Sequence, residues 1–227
     1  MEFKNYLMSQ LIFKFPFKTE YYEQDFYVSS NNFSAYKLIE SWPNWSSKWV
    51  NVYGDSGSGK THLSKILEKK IKNVKILNEL DVTDDVVSKL ENLQCLIIDN
   101  FSNKIEHKLF YSLLNQSKQL ERFILINSSK PLKEYKFHLD DLKSRINSFL
   151  YMGIDLPTDE ILKVIIIKSF SDKQISLDPK ICDYIIKNVE RSYDKMIKFL
   201  KDVDDLSLSS GKSININLIK KVLKNNE

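Results

Sequence analysis

The segment Gly54–Thr61 reads GDSGSGKT and matches the pattern G-x-x-x-x-G-K-S/T, in which a glycine-rich loop holds phosphate groups between a strand and a helix. Its surroundings fit this pattern, because the apolar run Trp49–Tyr53 precedes it and the helical-looking stretch Thr61–Lys70 follows it. The chain has only five glycines, and three of them lie here, where backbone must approach a ligand closely. We call this segment the phosphate loop.

The chemistry expected of the phosphate loop follows from its backbone. Successive N–H groups that point inward form a concave anion site, and the start of the next helix adds partial positive charge. Lys60 is expected to reach the β- and γ-phosphates, and the Thr61 hydroxyl is expected to bind Mg²⁺. The alternative, a chance glycine-rich turn, fits the flanking strand and helix less well.

Composition limits the class of protein. The chain has 227 residues, 42% of them hydrophobic and 28% charged, which suits one core plus a smaller second domain. The net charge of +4 is mild, so we expect DNA contact to be indirect or weak. Two cysteines and three histidines show no disulfide or zinc spacing. No membrane-spanning stretch or secretory signal is evident, so we expect a cytoplasmic protein without a membrane partner.

Short apolar runs bounded by polar segments predict buried strands of a parallel sheet. They are Trp49–Tyr53, Val74–Leu77, Cys95–Ile98, Phe123–Ile126 and Phe149–Met152. Helical patterns precede or separate most of them, namely Asn31–Trp42, Thr61–Lys70, Asp84–Leu93 and Glu106–Gln119. After Pro157 only helical patterns follow, at Thr158–Lys168, Pro179–Lys187, Tyr193–Asp205 and Ile216–Lys224.

The sequence therefore predicts an α/β fold, a parallel P-loop sheet flanked by helices with a small all-helical C-terminal lid. We place an extended N-terminal arm at residues 1–24, the nucleotide-binding domain at 25–156 and the lid at 157–227.

An acid follows the third predicted strand. In phosphate-loop proteins an acid at the end of a neighbouring strand holds Mg²⁺, and Asp99 fits that role. The alternative is an ordinary aspartate at a strand-end turn. Asn100 stands where many ATPases carry a second carboxylate that polarises the attacking water. Since an asparagine can position water but cannot take its proton, we predict weak unaided hydrolysis.

Polar residues also follow the fourth predicted strand. A side chain there could sense the γ-phosphate, and we assign that role to Asn127, although Ser128 and Ser129 stay open as alternatives. A plain strand–turn junction fits the same residues. Further on, Arg145 lies in the sequence DDLKSR just before the fifth strand. It could serve as an arginine finger presented in trans to a neighbour's γ-phosphate, or it could form a surface salt bridge with Asp140 or Asp141.

Taken together, GDSGSGKTHL, IIDN, ILINSSKP and LDDLKSR, in that order and spacing, resemble the AAA+ domain of the bacterial replication initiator DnaA over roughly residues 22–225. Within this DnaA-related AAA+ family, the chain is most similar to the short Hda proteins. It ends after the predicted lid, and Asn100 and Asp141 look Hda-like. We assign the nucleotide contacts to Gly54, Asp55, Ser56, Gly57, Ser58, Gly59, Lys60, Thr61, His62, Asn127 and Arg191.

The N-terminal arm resembles the peptide by which Hda docks on the DNA polymerase III sliding clamp. The clamp contacts implied by that resemblance are Gln10, Leu11, Phe13 and Phe15. An extended apolar peptide can fill hydrophobic pockets while its glutamine satisfies polar groups at the rim. The sequence departs from the family pattern at Phe13 and Lys14, and the alternative is that the arm packs on its own domain.

The resemblance implies a regulator of replication initiation, with DnaA and the clamp as partners, ADP or ATP plus Mg²⁺ as cofactors, and a possible homo-oligomer. It implies that the adenine contacts Asp25–Asn31 and that a lid arginine touches the nucleotide. Near the expected lid position the sequence has Asp194, so Arg191 or Lys195 substitutes, or the contact is missing. The alternatives are an autonomous ATPase, a DnaA-like or helicase-loader-type ATPase acting on DNA or a replication partner, and a nucleotide-locked scaffold.

Overall fold

The computed structural model describes residues 26–226, apart from the side chains of Asp194 and Asn226. The predicted arm at residues 1–24 lies outside the described residues. Those residues form two compact units, which divide between Pro157 and Thr158.

In the first unit, the described residues form a five-stranded parallel sheet in the order β2-β3-β4-β1-β5. The strands are β1 (Trp49–Tyr53), β2 (Val74–Asn78), β3 (Cys95–Phe101), β4 (Phe123–Ser128) and β5 (Leu150–Gly153). Each predicted apolar run is a strand, and β2, β3 and β4 extend into the polar residues that follow their runs. The parallel sheet predicted from the sequence is thereby confirmed.

The helices of this unit lie on both faces of the sheet. They are α1 (Phe33–Glu40), α2 (Lys60–Lys70), α3 (Asp84–Ser88), α4 (His107–Gln119) and α5 (Asp140–Ile146). The helix predicted over Asp84–Leu93 is shorter than expected, because α3 gives way to a 3-10 turn at Leu90–Asn92. Helix α5, which carries Arg145, was not predicted as a separate element.

Alternate residues of the central strands pack into two apolar layers, which is why the strands have continuous apolar sequences. Leu96, Ile98, Ile124 and Ile126 pack with residues of α3, α4 and α5 on one face. Val50, Val52, Ile97 and Leu125 pack with residues of α1 and α2 on the other. This alternation decides which polar side chains at the strand ends point towards α2 and the phosphate loop.

The second unit is helical throughout its described residues, in agreement with the predicted helical lid. Its helices are α6 (Asp159–Ser171), α7 (Pro179–Asn188), α8 (Tyr193–Ser210) and α9 (Ile216–Asn226). A separate core of residues such as Phe170, Ile185, Met196 and Val222 holds them together. The Asp178 side chain accepts a hydrogen bond from the backbone of Lys180 and so caps the start of α7. None of the helices in residues 26–226 has the length and apolar character needed to span a membrane.

Candidate nucleotide site

The phosphate loop joins β1 to α2 in a conformation that requires glycine at two positions. A Cβ atom on Gly54 would lie 2.4 Å from the carbonyl oxygen of Ile154. Gly59, at the start of α2, has φ +100°, and a Cβ there would lie 3.1 Å from the ring of Phe26. Both glycines therefore let the loop pack closely against Ile154 and Phe26. The loop backbone between them leads into the N-terminus of α2, a setting that binds phosphate groups, and we call it the backbone cradle.

The Lys60 ammonium group lies over this cradle. Its Nζ donates hydrogen bonds to the carbonyl oxygens of Gly54 at 2.7 Å and Asp55 at 2.8 Å, and it lies 3.3 Å from Ser58 Oγ. Rotation of the lysine side chain alone would turn the ammonium from these carbonyls towards an anion in the cradle. The position fits the phosphate-binding role that the sequence predicts for Lys60.

Thr61 and Asp99 meet next to the phosphate loop. The Thr61 hydroxyl donates to Asp99 Oδ2 at 2.8 Å, and the Asp99 side chain is only 7% exposed. Two hard oxygen atoms at this spacing suit Mg²⁺, which usually takes one or two protein ligands and fills its other positions with phosphate and water. In the described part of the chain, no group of three or more His, Cys, Asp or Glu side chains offers another metal site.

Asn127, rather than Ser128 or Ser129, faces this pair. Its amide nitrogen donates to Asp99 Oδ1 at 2.9 Å and to Ser64 Oγ at 2.7 Å. Asn127 Oδ1 is buried without a hydrogen-bond partner among residues 26–226, so an acceptor stands beside the site. Ser128 instead donates to the carbonyl oxygen of Lys130, and Ser129 is exposed.

Asn100 follows Asp99 with a left-handed backbone, φ 56°, at a register shift in β3. Its exposed side chain donates to Asn78 Oδ1 at 3.3 Å. The neighbouring Glu79 carboxylate is buried and accepts hydrogen bonds from the backbone of Ser102 at 2.7 Å and Ile105 at 2.9 Å. The end of β2 therefore holds the loop that follows Asp99.

Arg145 lies on α5, away from the phosphate loop. Its Nε donates to Asn115 Oδ1 on α4 at 2.9 Å, and the side chain is half-buried. The salt bridge considered from the sequence is made by a different cation, because Asp140 pairs with Lys143 at 2.7 Å. That hydrogen bond lowers the pKa of the Asp140 carboxyl. Held through Nε, the guanidinium can present its two terminal nitrogens, the geometry that binds a phosphate in bidentate fashion.

In the helical unit, Arg191 pairs with Asp159 at 2.9 Å, with both side chains exposed. Lys195 Nζ lies 3.8 Å from Glu190. The side chain of Asp194 is outside the description. The nucleotide contact expected of Arg191 therefore stays a prediction.

The stretch before α1, where the adenine contact is expected, packs beside the phosphate loop. The rings of Phe26 and His62 meet edge to face with centroids 5.2 Å apart. The Asn31 side chain donates to the carbonyl oxygens of Asp155 at 3.2 Å and Leu156 at 3.0 Å. His62 thus faces this stretch. The clamp contacts predicted in the arm lie outside the described residues, at Gln10, Leu11, Phe13 and Phe15.

Sequence reasoning missed several residues around the site. Asn115, Ser64 and Asn78 each hold a predicted site residue by one hydrogen bond. The sequence gives little indication of these roles, because a polar residue within a helix or at a strand end is usually just exposed to solvent. Glu79 was missed as well, although it lies only two residues after the predicted strand Val74–Leu77.

Comparison with known proteins shows which sequences the chain is similar to. A sequence model of the lid domain of Hda matches residues 160–223, and a model described as RNA helicase matches residues 50–152. The chromosomal replication initiator protein DnaA of Helicobacter hepaticus is 30% identical over 230 residues, which cover 89% of this chain and 49% of that protein. The chain spans 32–54% of the length of these curated relatives.

Solved structures show the same fold. Domain III of DnaA from Thermotoga maritima superimposes with a TM-score of 0.75 at 19% identity, covering 93% of this chain and 98% of that one. AMPPCP-bound DnaA from Aquifex aeolicus gives a TM-score of 0.68 at 22% identity, covering 84% of this chain and 67% of that one. The phosphate loop, the parallel sheet and the sequence matches to DnaA and to the Hda lid domain together support a DnaA-related AAA+ family for this chain.

Proposed function

We propose that this protein is a nucleotide-binding regulator of replication initiation, which promotes hydrolysis of ATP held by the initiator DnaA. It would bind ADP or ATP itself and present Arg145 to the nucleotide of its partner. The family relationship and the match to the Hda lid domain support this function.

Nucleotide binding in this proposal uses the phosphate loop and its neighbours. The backbone cradle between Gly54 and Gly59 would surround the phosphates, with the Lys60 ammonium beside them. Thr61 and Asp99 would hold Mg²⁺, which neutralises phosphate charge when bound. The amide of Asn127 would keep the Asp99 carboxylate oriented.

The position of Asn100 beside Asp99 is the main observation in favour of a regulator, as opposed to an autonomous ATPase. Its amide is engaged with Asn78, and an amide cannot accept a proton from water. The chain therefore binds nucleotide with the usual groups but lacks a carboxylate at the position where we expect the general base. Slow turnover suits a protein whose own nucleotide is a structural ligand.

Arg145 would supply the catalytic contribution in trans. A finger arginine must reach a neighbouring molecule. Arg145 is half-buried on α5, and within residues 26–226 its side chain is held through Nε alone. The arm with Gln10 and Leu11 would dock the protein on the sliding clamp and so bring it to DnaA on DNA. This step rests on the sequence resemblance.

The test measures hydrolysis of labelled ATP bound to DnaA, with clamp-loaded DNA and the purified chain. Wild type should stimulate hydrolysis, and Arg145→Ala should lose about 10³-fold or more of the stimulation while binding nucleotide normally. Arg122→Ala is the matched control, because Arg122 is also half-buried and donates a hydrogen bond, to the carbonyl of Glu91. Equal stimulation by Arg145→Ala and wild type would refute the mechanism.

A pull-down with the clamp tests docking separately. The Gln10→Ala/Leu11→Ala variant should lose clamp binding in the presence of ADP and keep its nucleotide affinity. Retention of clamp binding by this variant would remove the arm from the proposal.

A further inference from the structure

A cavity beside α5 is not part of the nucleotide site. It has a volume of about 530 Å³, within the size range of ligand pockets, and lies between residues 133–138 and the end of α5. Its lining includes Lys133, Lys136, His138 and Lys143, and no carboxylate among the described residues belongs to it. The cavity therefore has a basic rim.

Two of these lysines carry uncompensated charge. Lys133 and Lys136 are exposed, and neither has an ion-pair partner within residues 26–226. Lys133 Nζ instead lies 5.3 Å from the ring centroid of Tyr151. Lys143 shares its charge with Asp140 at the helix start. Unpaired cations around a concave site attract an anionic ligand.

The floor of the cavity is apolar. Phe137 and Ile146 are among its lining residues, and because 6% and 1% of their surface is exposed, they offer a ligand a small apolar contact. A ligand that places an apolar group on this floor removes it from water while its anionic groups stay at the rim. The cavity thus combines one apolar contact with several cations.

One feature favours a peptide over nucleic acid. Single strands bind by stacking bases on open aromatic faces, yet lysine ammonium groups lie over both nearby tyrosines, with Lys130 only 4.7 Å from the Tyr135 centroid.

We propose that this cavity binds a short acidic peptide segment of a partner protein. One apolar side chain of the segment would contact Phe137 and Ile146, and its flanking carboxylates would pair with Lys133 and Lys136. Lys143 and Ile146 of α5 and Asn147 just after it line the cavity, and Arg145 does not. This site is independent of the nucleotide function and would operate without it.

The test uses fluorescence anisotropy with the full chain and a labelled probe peptide that has glutamates on both sides of one leucine. Lys133→Glu/Lys136→Glu should weaken binding about tenfold or more, because two attractive contacts become repulsive. Lys72→Glu/Lys75→Glu is the matched control, since its lysines are also exposed and have the same spacing in the same unit. A probe with glycine for leucine should bind about tenfold more weakly.

Competing probes make the outcome decisive. Oligo-dT of similar length should bind less tightly than the glutamate–leucine peptide at the same salt concentration. The proposal is overturned if both double variants bind the peptide as wild type does, or if oligo-dT binds more tightly and depends on Lys133 and Lys136. Thermal unfolding of each variant establishes that the lost binding is not lost folding.

Discussion

Arg145 and Asn115 are joined across α5 and α4 by a single hydrogen bond of 2.9 Å, from Nε of the arginine to the amide oxygen of the asparagine. This bond limits the directions in which the guanidinium can point. If Arg145 acts in trans, Asn115 is its positioning residue. One hydrogen bond to a charged group contributes about 1.5–3 kcal/mol, much less than the finger itself.

We therefore expect Asn115→Ala to lower the stimulation of DnaA-bound ATP hydrolysis by about tenfold to a hundredfold, leaving nucleotide affinity unchanged. Asn115→Asp keeps the acceptor and should retain most of the stimulation. A merely structural role of Asn115 would instead lower the unfolding temperature in both variants without separating their activities.

Much of the fold is readable from the sequence because each strand has a mainly apolar run, and the central strands β3 and β4 have an uninterrupted one, such as Cys95–Ile98, followed by a polar end. Parallel strands bring those ends to the same edge, so Asp99 and Asn127 were expected near the phosphate loop. The choice between Asn127 and Ser128 was not readable, since a run that is apolar on both faces does not reveal which residues face α2. In the folded protein Leu125 packs in the same apolar layer as α2, so Asn127, two residues later on β4, also faces α2.

The partners of the site residues were harder to predict for a physical reason. Asn115 and Arg145 are 30 residues apart, and Asn78 and Asn100 are 22 apart, on elements that meet only in the folded chain. A single polar side chain gives no periodic signal that would link such positions.

Asn100 offers a gain-of-function test. Its left-handed φ of 56° is one that aspartate also tolerates, so Asn100→Asp should fold normally. A carboxylate here can act as a general base, and such groups contribute about 10²–10⁴-fold. We expect ATP hydrolysis by the isolated chain to rise at least tenfold in a phosphate-release assay. Asn103→Asp, at another left-handed asparagine (φ 67°), should leave the rate unchanged.

The Thr61–Asp99 pair predicts a magnesium-dependent nucleotide affinity. Asp99→Asn removes the charge of the carboxylate and should weaken ADP binding about tenfold or more when Mg²⁺ is present. In excess EDTA the variant and wild type should bind ADP with similar affinity, because the difference lies in the metal. A calorimetric titration that gave the same tenfold loss in EDTA would assign Asp99 a structural role instead.

Alanine substitutions at Gly54 and Gly211 distinguish the cost of a steric clash from the cost of an unfavourable backbone conformation. A Cβ on Gly54 meets the Ile154 carbonyl oxygen at 2.4 Å, whereas a Cβ on Gly211 meets nothing within 4 Å. Gly211 has φ +63°, so Gly211→Ala should cost only about 1–2 kcal/mol of unfolding free energy. Gly54→Ala adds a backbone clash and should cost more, with a drop in nucleotide affinity. Thermal unfolding with and without ADP measures the change in stability and the change in nucleotide affinity. An equal loss of unfolding free energy in the two variants would contradict the clash at Gly54.

Tyr151 predicts a loss of stability at high pH. Burial raises the pKa of its phenol to about 12 from the ordinary value of 10.0, and its hydroxyl donates to the carbonyl oxygen of Ile146 at 2.9 Å. The folded state therefore keeps the proton over a range in which the unfolded state loses it. The contribution of this phenol is complete below pH 10 and falls between pH 10 and about 12. Denaturant unfolding of wild type and Tyr151→Phe should show a difference in unfolding free energy that shrinks across this range. A difference that stays constant with pH would mean that Tyr151 ionises equally in both states.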